Sequence, residues 1–152
     1  MIGRTNELNQ LENMYESDRF EFLVMYGRRR VGKTTILQEF ASRHDLIFFP
    51  CQEKNDALNL LDFSRVLQRY FDGDFIAPFM TWGDAFSYIT RKGGDRRIAL
   101  IIDEFPFLAE TNPAIKSTLQ HEIDHHWSAM PIFLILCGSS VSFMIRDVMG
   151  EK

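Results

Sequence analysis

The sequence lacks several features that would place it in a specialised class. No apolar run is long enough to cross a bilayer, since the longest covers residues 132–137. The N-terminal residues are too polar to be a signal peptide. A surplus of positive charge is also missing, because the net charge is −4, so composition gives no indication of nucleic-acid binding. We therefore expect a cytoplasmic protein with no membrane partner.

Cysteine is scarce as well. Cys51 and Cys137 are the two cysteines of the chain, and each stands at the end of an apolar run. This setting predicts buried free thiols, which suit a reducing compartment. The 152 residues include 14 phenylalanines and are 45% apolar, enough to bury a core within one domain.

Short apolar runs alternate with helix-period segments along the chain. The expected strands cover residues 20–26, 46–50, 98–102 and 132–136. The expected helices between them include residues 33–43, 56–71 and 113–127. Strands that are apolar on both faces and separated by helices indicate a parallel sheet covered on both sides. The predicted fold class is therefore three-layer α/β.

Hydroxyl side chains predict where two helices begin. Thr5 can cap a helix that carries Leu8 and Leu11 on one face. Thr81 and Asp84 have the spacing of a capping box, so a helix is expected from residue 82.

The segment 27–34 fits the phosphate-loop pattern G-x-x-x-x-G-K-[ST] in full, and it stands between a strand and a helix. Backbone N–H groups can approach phosphates closely only where side chains are absent, which explains Gly27 and Gly32. Lys33 is placed to reach the β- and γ-phosphates, and the Thr34 hydroxyl to bind Mg²⁺. The residues predicted to bind nucleotide here are Gly27, Arg28, Arg29, Arg30, Val31, Gly32, Lys33, Thr34 and Thr35. A plain solvated charge run remains the alternative for the three arginines.

Two carboxylates follow the third apolar strand. Asp103 is expected at its C-terminal tip, where ligands bind in open α/β sheets, and would hold Mg²⁺ through water. Glu104 is placed to polarise a water molecule for attack on the γ-phosphate. Ser139 follows the last strand, and its hydroxyl could sense the γ-phosphate or the attacking water; a plain turn is the alternative.

One motif points to different chemistry. Residues 121–125 match H-E-x-x-H, the helical pattern of zinc hydrolases. His121 and His125 are each two positions after an apolar residue of the expected buried stripe, so both should face away from the core. No convincing third ligand follows. We interpret the motif as a surface histidine cluster.

Four motifs in order resemble those of the archaeal-type ATPase family, which is found in archaea and bacteria. They are the opening box Ile2-Gly3-Arg4-Thr5-Asn6-Glu7-Leu8, the arginine-rich segment 26–34, Asp103-Glu104-Phe105-Pro106-Phe107-Leu108, and the segment 136–144. The resemblance covers about residues 1–149. This family belongs to the STAND division of P-loop ATPases, which is related to AAA+ proteins and to origin-recognition initiators.

The resemblance implies a P-loop NTPase sheet in the order 5-1-4-3-2, with Mg²⁺-dependent ATP binding and hydrolysis. It implies that Gly3 and Arg4 lie near the adenine, that ATP and ADP drive a switch, and that the full-length protein is a homo-oligomer. Family members continue into a fifth strand, a helical lid and C-terminal domains, which could contact nucleic acid. Residues 1–152 are therefore expected to be an incomplete ATPase core with weak or no turnover.

Two other readings stay open. The chain could be a switch or scaffold that depends on nucleotide without hydrolysing it. It could also be a P-loop kinase, although the adjacent Asp103 and Glu104 favour water as the acceptor.

Overall fold

The computed structural model describes residues 2–26 and 33–138, and its description of residues 2–5, 33 and 34 is limited to the backbone. The helices are α1 (Ile2–Glu16), α2 (Lys33–Arg43), α3 (Asp56–Asp72), α4 (Trp82–Gly93), α5 (Phe105–Thr111) and α6 (Ile115–His125). The strands are β1 (Glu21–Tyr26), β2 (Ile47–Pro50), β3 (Ile98–Asp103) and β4 (Ile132–Gly138). A 3₁₀ turn, Trp127–Ala129, precedes β4.

The four strands form one sheet in the order β1-β4-β3-β2, and every neighbouring pair is parallel. This confirms the predicted three-layer fold class and the 1-4-3-2 part of the predicted strand order. Within the described ranges β1 pairs with β4 on one side, so it stands at one edge of the sheet and β2 stands at the other.

Alternation along the central strands divides the core into two layers. Residues 98, 100 and 102 of β3 belong to the cluster beneath α3, α4, α5 and α6, whereas residues 99 and 101 belong to the cluster beneath α1 and α2. The same two-residue period runs through β4. All residues of β4, and all of β3 except the last, are buried, as expected for strands covered on both faces.

Three sequence predictions needed correction. The first helix begins at Ile2, so Thr5 lies inside it and does not cap it. The helix predicted over 113–127 is shorter: α6 ends at His125, and a 3₁₀ turn follows. The short helix α5 was not predicted, although a proline at its first or second position is a known start signal.

The capping prediction for α4 is confirmed. The Thr81 side chain accepts a hydrogen bond from the Asp84 N–H at 3.0 Å, and α4 starts at Trp82. Asn55 does the same for α3, since its side chain accepts from the Leu58 N–H at 2.8 Å. At the other end of α3, Gly73 adopts φ +79°, a left-handed conformation that glycine accepts without steric cost.

Candidate nucleotide site at the carboxyl edge of the sheet

The carboxyl ends of the strands meet along one edge of the sheet. Tyr26 at the end of β1 aligns with Gly138 at the end of β4, and Pro50 at the end of β2 aligns with Asp103 at the end of β3. In open parallel sheets ligands bind outside this edge. The predicted phosphate loop, residues 27–32, follows β1 directly and lies outside the described residues.

α2 begins at Lys33, immediately after that segment. Lys33, Thr34 and Thr35 therefore occupy the first turn of a helix that starts at the carboxyl edge. The N–H groups of a first helical turn lack intrahelical partners and carry positive potential, which favours anions there. Gly3 and Arg4 lie in the first turn of α1, on the same face of the sheet as α2.

Asp103 is the last residue of β3, and the chain turns sharply after it. The Asp103 Oδ1 atom accepts a hydrogen bond from the Glu104 N–H at 3.0 Å. Glu104 has φ 55° and ψ 42°, the left-handed region that a non-glycine residue occupies at a cost of about 1–2 kcal/mol. Strained backbone of this kind persists where the surroundings hold it, and functional sites are common examples. The turn places two partly exposed carboxylates side by side at the edge.

Cys51 lies beside this pair. Its N–H donates to the Asp103 carbonyl oxygen at 2.9 Å, one residue beyond the paired part of β2. Burial raises the pKa of the Cys51 thiol well above its ordinary value, and the negative charges of Asp103 and Glu104 raise it further. The thiol therefore stays protonated and unreactive at neutral pH. Both cysteines are buried and free, as predicted.

The loop after β2 is tied down by a buried amide. The Asn59 side chain accepts from the Gln52 N–H at 3.2 Å and donates to the Gln52 carbonyl oxygen at 3.0 Å. Asn59 is fully buried on α3. The start of this loop is thus held on two sides. The Cys51 N–H bonds to Asp103 of β3, and the Gln52 backbone bonds to the Asn59 side chain of α3. The sequence interpretation missed this clamp, because an asparagine inside a helix pattern carries no signal for such a role.

The remaining predicted site residues divide into two groups. Ser139 lies outside the described residues, as do Gly27, Arg28, Arg29, Arg30, Val31 and Gly32. Thr35 is described, and its side chain is exposed. The structure therefore brings Asp103 and Glu104 to the same edge as the start of α2.

The H-E-x-x-H motif lies on α6. His121 and His125 are exposed, in agreement with the predicted orientation, and their rings lie tilted against each other with centroids 4.1 Å apart. Across residues 2–26 and 33–138, no three histidine, cysteine, aspartate or glutamate side chains group closely enough to hold a metal ion. Glu122 is buried, which the sequence interpretation did not anticipate.

None of the helices in the described part of the chain has the length and apolar character needed to span a bilayer.

The comparisons with known proteins agree with this architecture. Residues 1–152 match the family model described as an ATPase domain predominantly from Archaea, and the chain belongs to that family. The protein MJECL04 of Methanocaldococcus jannaschii is 31% identical over 99% of this chain. The chain spans 32% of the length of that relative.

Several solved structures share this fold at low sequence identity. The Walker-type ATPase of Pyrococcus abyssi superposes with a TM-score of 0.72 over 94% of this chain and 47% of its own, at 18% identity. Cdc6p of Pyrobaculum aerophilum gives 0.68 over 97% and 41%, also at 18% identity. The Orc1 protein of Aeropyrum pernix, solved in complex with DNA, gives 0.61 over 97% and 41% at 15% identity. The family match confirms the recognition of an archaeal-type ATPase, and the solved structures show the fold.

Proposed function

We propose that this domain binds Mg²⁺-ATP at the carboxyl edge of its sheet, hydrolyses it slowly, and acts as a nucleotide-driven switch. The observation that carries the proposal is the placement of Asp103 and Glu104 at the end of β3, on the edge where β1 leads to the start of α2. ATP and ADP are the proposed ligands.

The residues at this edge fit a magnesium nucleotide. Mg²⁺ prefers hard oxygen ligands, and the half-buried Asp103 carboxylate, at the same edge of the sheet as the start of α2, would supply one. The ion would neutralise charge on the phosphate oxygens when bound. Thr34 and Asp103 would hold it, and Lys33 would contact the β- and γ-phosphates.

Glu104 is the proposed group that polarises the attacking water. Its backbone turn is fixed by the hydrogen bond to Asp103 and by the start of α5, so the backbone at Glu104 does not have to be ordered on binding. Ser139 is proposed to sense the γ-phosphate. Gly3 and Arg4 are proposed to lie near the adenine, and Arg28, Arg29 and Arg30 to neutralise phosphate charge.

The whole protein is proposed to be a homo-oligomer that contacts nucleic acid through regions outside this core. The homo-oligomer rests on the family resemblance, and two observations support further regions and a nucleic-acid partner. The chain covers 32% of its relative from Methanocaldococcus jannaschii, and a structural neighbour was solved in complex with DNA. Residues 1–152 are proposed to be the ATPase core, with lid and C-terminal domains elsewhere in the protein.

Thermal unfolding with and without Mg²⁺-ATP tests the binding site. Ligand at ~100 times its dissociation constant should stabilise the protein by roughly 2.7 kcal/mol, a shift of several degrees at this size. Lys33→Ala should abolish the shift. Lys92→Ala is the matched control, because Lys92 lies at the C-terminal end of α4 and pairs with Asp72. An unchanged shift in Lys33→Ala would refute nucleotide binding through the phosphate loop.

Turnover is tested separately with Glu104→Gln. Removal of a general base should lower the hydrolysis rate by about 100-fold or more while the thermal shift with Mg²⁺-ATP remains. The rates should be compared with those of Glu110→Gln, since Glu110 is exposed on α5. If Glu104→Gln hydrolyses ATP at the parent rate, Glu104 is not the base. If the parent itself shows no hydrolysis, the switch without turnover is the better description.

A further inference from the structure

A groove on the molecular surface separates α4 from α6. It is largely open to solvent, has a volume of about 430 Å³ and is lined by polar residues and glycine: Gly83, Ser87, Ser117, Thr118, His121, Glu122 and His126. A Cβ atom added to Gly83 would lie 3.8 Å from the Thr118 methyl group, so the two helices approach closely at that point. The remainder of this face of the sheet packs through apolar side chains.

Glu122 stands at the base of the groove with 5% of its surface exposed. Its Oε2 atom accepts from the Thr90 hydroxyl at 2.5 Å, and the Thr90 oxygen itself accepts from the Trp127 indole N–H at 2.8 Å. Within residues 2–26 and 33–138, its Oε1 atom has one long hydrogen bond, from the Ser87 hydroxyl at 3.5 Å. Ser87 lines the groove and Thr90 does not, so Oε1 is the oxygen on the groove side. One carboxylate oxygen is therefore anchored in the core, and the other is available to the groove.

No cation compensates this carboxylate within residues 2–26 and 33–138: the ion pairs found there do not include Glu122, and no lysine or arginine lines the groove. A desolvated carboxylate without an opposite charge is costly, and a cation that reached it would form a charge-assisted hydrogen bond in a partly dehydrated site. The hydroxyl oxygens of Ser87, Ser117 and Thr118 add acceptors for its remaining N–H groups.

We propose that the groove between α4 and α6 receives a cationic side chain, arginine or lysine, of a partner polypeptide, with Glu122 as its counter-ion. A polypeptide is the fitting source because the groove is open along the helices and its rim residues Ser117, His121 and His126 are exposed. An extended backbone can lie along that rim while its side chain descends to Glu122. The exposed imidazole faces of the rim offer stacking surfaces for a guanidinium group.

The groove is separate from the proposed nucleotide site. α6 ends at His125 and leads through a short turn into Ile132, the first residue of β4, so Glu122 lies toward the amino edge of the sheet. Asp103 ends β3 at the opposite, carboxyl edge. Binding to the groove is therefore expected without nucleotide, and its failure would leave the ATPase proposal unaffected.

The test uses ¹⁵N-labelled protein titrated with the peptide acetyl-Gly-Arg-Gly-amide and followed by amide chemical shifts. Saturable shifts are expected on α4 and α6 around Ser87 and Glu122. The same peptide with neutral citrulline in place of arginine should bind at least ten-fold more weakly. Glu122→Gln should abolish the shifts, whereas Asp124→Asn, which removes an exposed carboxylate from the same helix, should preserve them. No saturable shift up to about 100 mM peptide (roughly the weakest dissociation constant expected of one charge-assisted hydrogen bond), or equal binding of the citrulline peptide, would overturn the proposal.

A second variant covers the case in which Glu122→Gln does not fold. Thr118 is four residues before Glu122 on α6 and so shares its face. Thr118→Lys would place an ammonium group in the groove, and we expect a higher Tm together with loss of peptide binding. Retained peptide binding in this variant would place the site elsewhere. A final titration uses spermidine. If spermidine binds in the groove and the arginine peptide does not, the ligand is a small polyamine and the polypeptide assignment is wrong.

Discussion

One face of the sheet carries α3, α4, α5 and α6, and the other carries α1 and α2. In the described part of the chain, the first face buries a large cluster that includes Phe49, Phe63, Phe86 and Trp127, with many ring-to-ring contacts. The second face buries a smaller cluster centred on Phe40 and Phe133. Both helices whose first turns are proposed to contact nucleotide belong to the second face. We call the face with α3, α4, α5 and α6 the thick face and the face with α1 and α2 the thin face. We expect the thick face to supply most of the stability and the thin face to contact the nucleotide, and we call this difference the division of labour between the faces.

The strongest test of this difference between the two faces is to replace one buried phenylalanine on each face. Phe63 is fully buried, and its ring centroid lies 4.9 Å from that of Phe49 and 5.2 Å from that of Trp82. Phe63→Ala should cost about 3–5 kcal/mol in urea unfolding. Mg²⁺-ATP affinity, measured by calorimetry below the unfolding range, should stay at the parent value.

Phe40→Ala is the partner variant on the thin face. Phe40 is also fully buried, and it lies on α2, the helix that begins at Lys33. This change should destabilise the fold and also weaken Mg²⁺-ATP binding, because α2 loses its anchor on the sheet. If both variants weakened nucleotide binding equally, the division of labour between the faces would be wrong.

Arg97 tests how the thin face is attached. Its guanidinium group donates to the carbonyl oxygens of Met14, Tyr15 and Arg19, at 2.6, 2.9 and 2.6 Å, and so caps the end of α1. Burial lowers the pKa of Arg97, but an arginine remains charged at neutral pH. Arg97→Ala should cost about 2 kcal/mol in urea unfolding, since charged hydrogen bonds are lost and carbonyls are left without donors. The neighbouring Arg96→Ala should change stability by less than about 0.5 kcal/mol, because Arg96 is exposed; a similar loss in both would contradict a capping role.

A smaller effect is expected from a helix cap on the thick face. Thr81→Ala removes the acceptor for the Asp84 N–H and should cost about 1 kcal/mol. Thr81→Ser keeps an oxygen in the same place and should restore most of that stability. Chemical denaturation of both variants is the measurement, and equal destabilisation by alanine and serine would argue against the cap.

The smallest predicted effect is a pH dependence at the surface of the thick face. Hydrogen bonds from Lys92 and from the Tyr88 hydroxyl hold the pKa of the Asp72 carboxyl below its ordinary value of 3.8. A carboxyl with a lowered pKa in the folded state contributes stability above 3.8 and loses it as the pH falls below that value. The Tm difference between the parent and Asp72→Asn should therefore shrink as the pH is lowered from 6 to 3. A difference that grew on acidification would have the wrong sign.

The hydrophobic period and the spacing of motifs in the sequence predicted much of the fold and part of the candidate site. The continuous apolar runs of β3 and β4 identified strands covered on both faces, and Thr81 located the start of α4 to the residue. Phosphate-loop spacing, with Asp103 after an apolar strand, pointed to the carboxyl edge. These features are local, because each depends only on residues that are close together in the sequence.

Other features were missed because they depend on residues distant in the chain. The clamp on Gln52 requires Asn59 to be buried against the loop after β2, which is visible only once α3 is docked. The burial of Glu122 depends on Thr90 and Ser87, which lie 32 and 35 residues away. The motif containing Glu122 was interpreted as a surface histidine cluster; its histidines His121 and His125 are exposed as predicted, but the glutamate between them is buried.

The sequence by itself determined the strand and helix types, the two-faced core and the identity of the residues at the carboxyl edge. The hydrophobic period and the glycine spacing involve only a few consecutive residues, so they can be recognised without a structure. Only the tertiary structure decided the left-handed turn at Glu104, the thiol of Cys51 beside Asp103 and the half-anchored carboxylate of Glu122. Each of these is a polar or strained group that is stabilised by residues from elsewhere in the chain. Sequence spacing does not show which distant residues will become its partners.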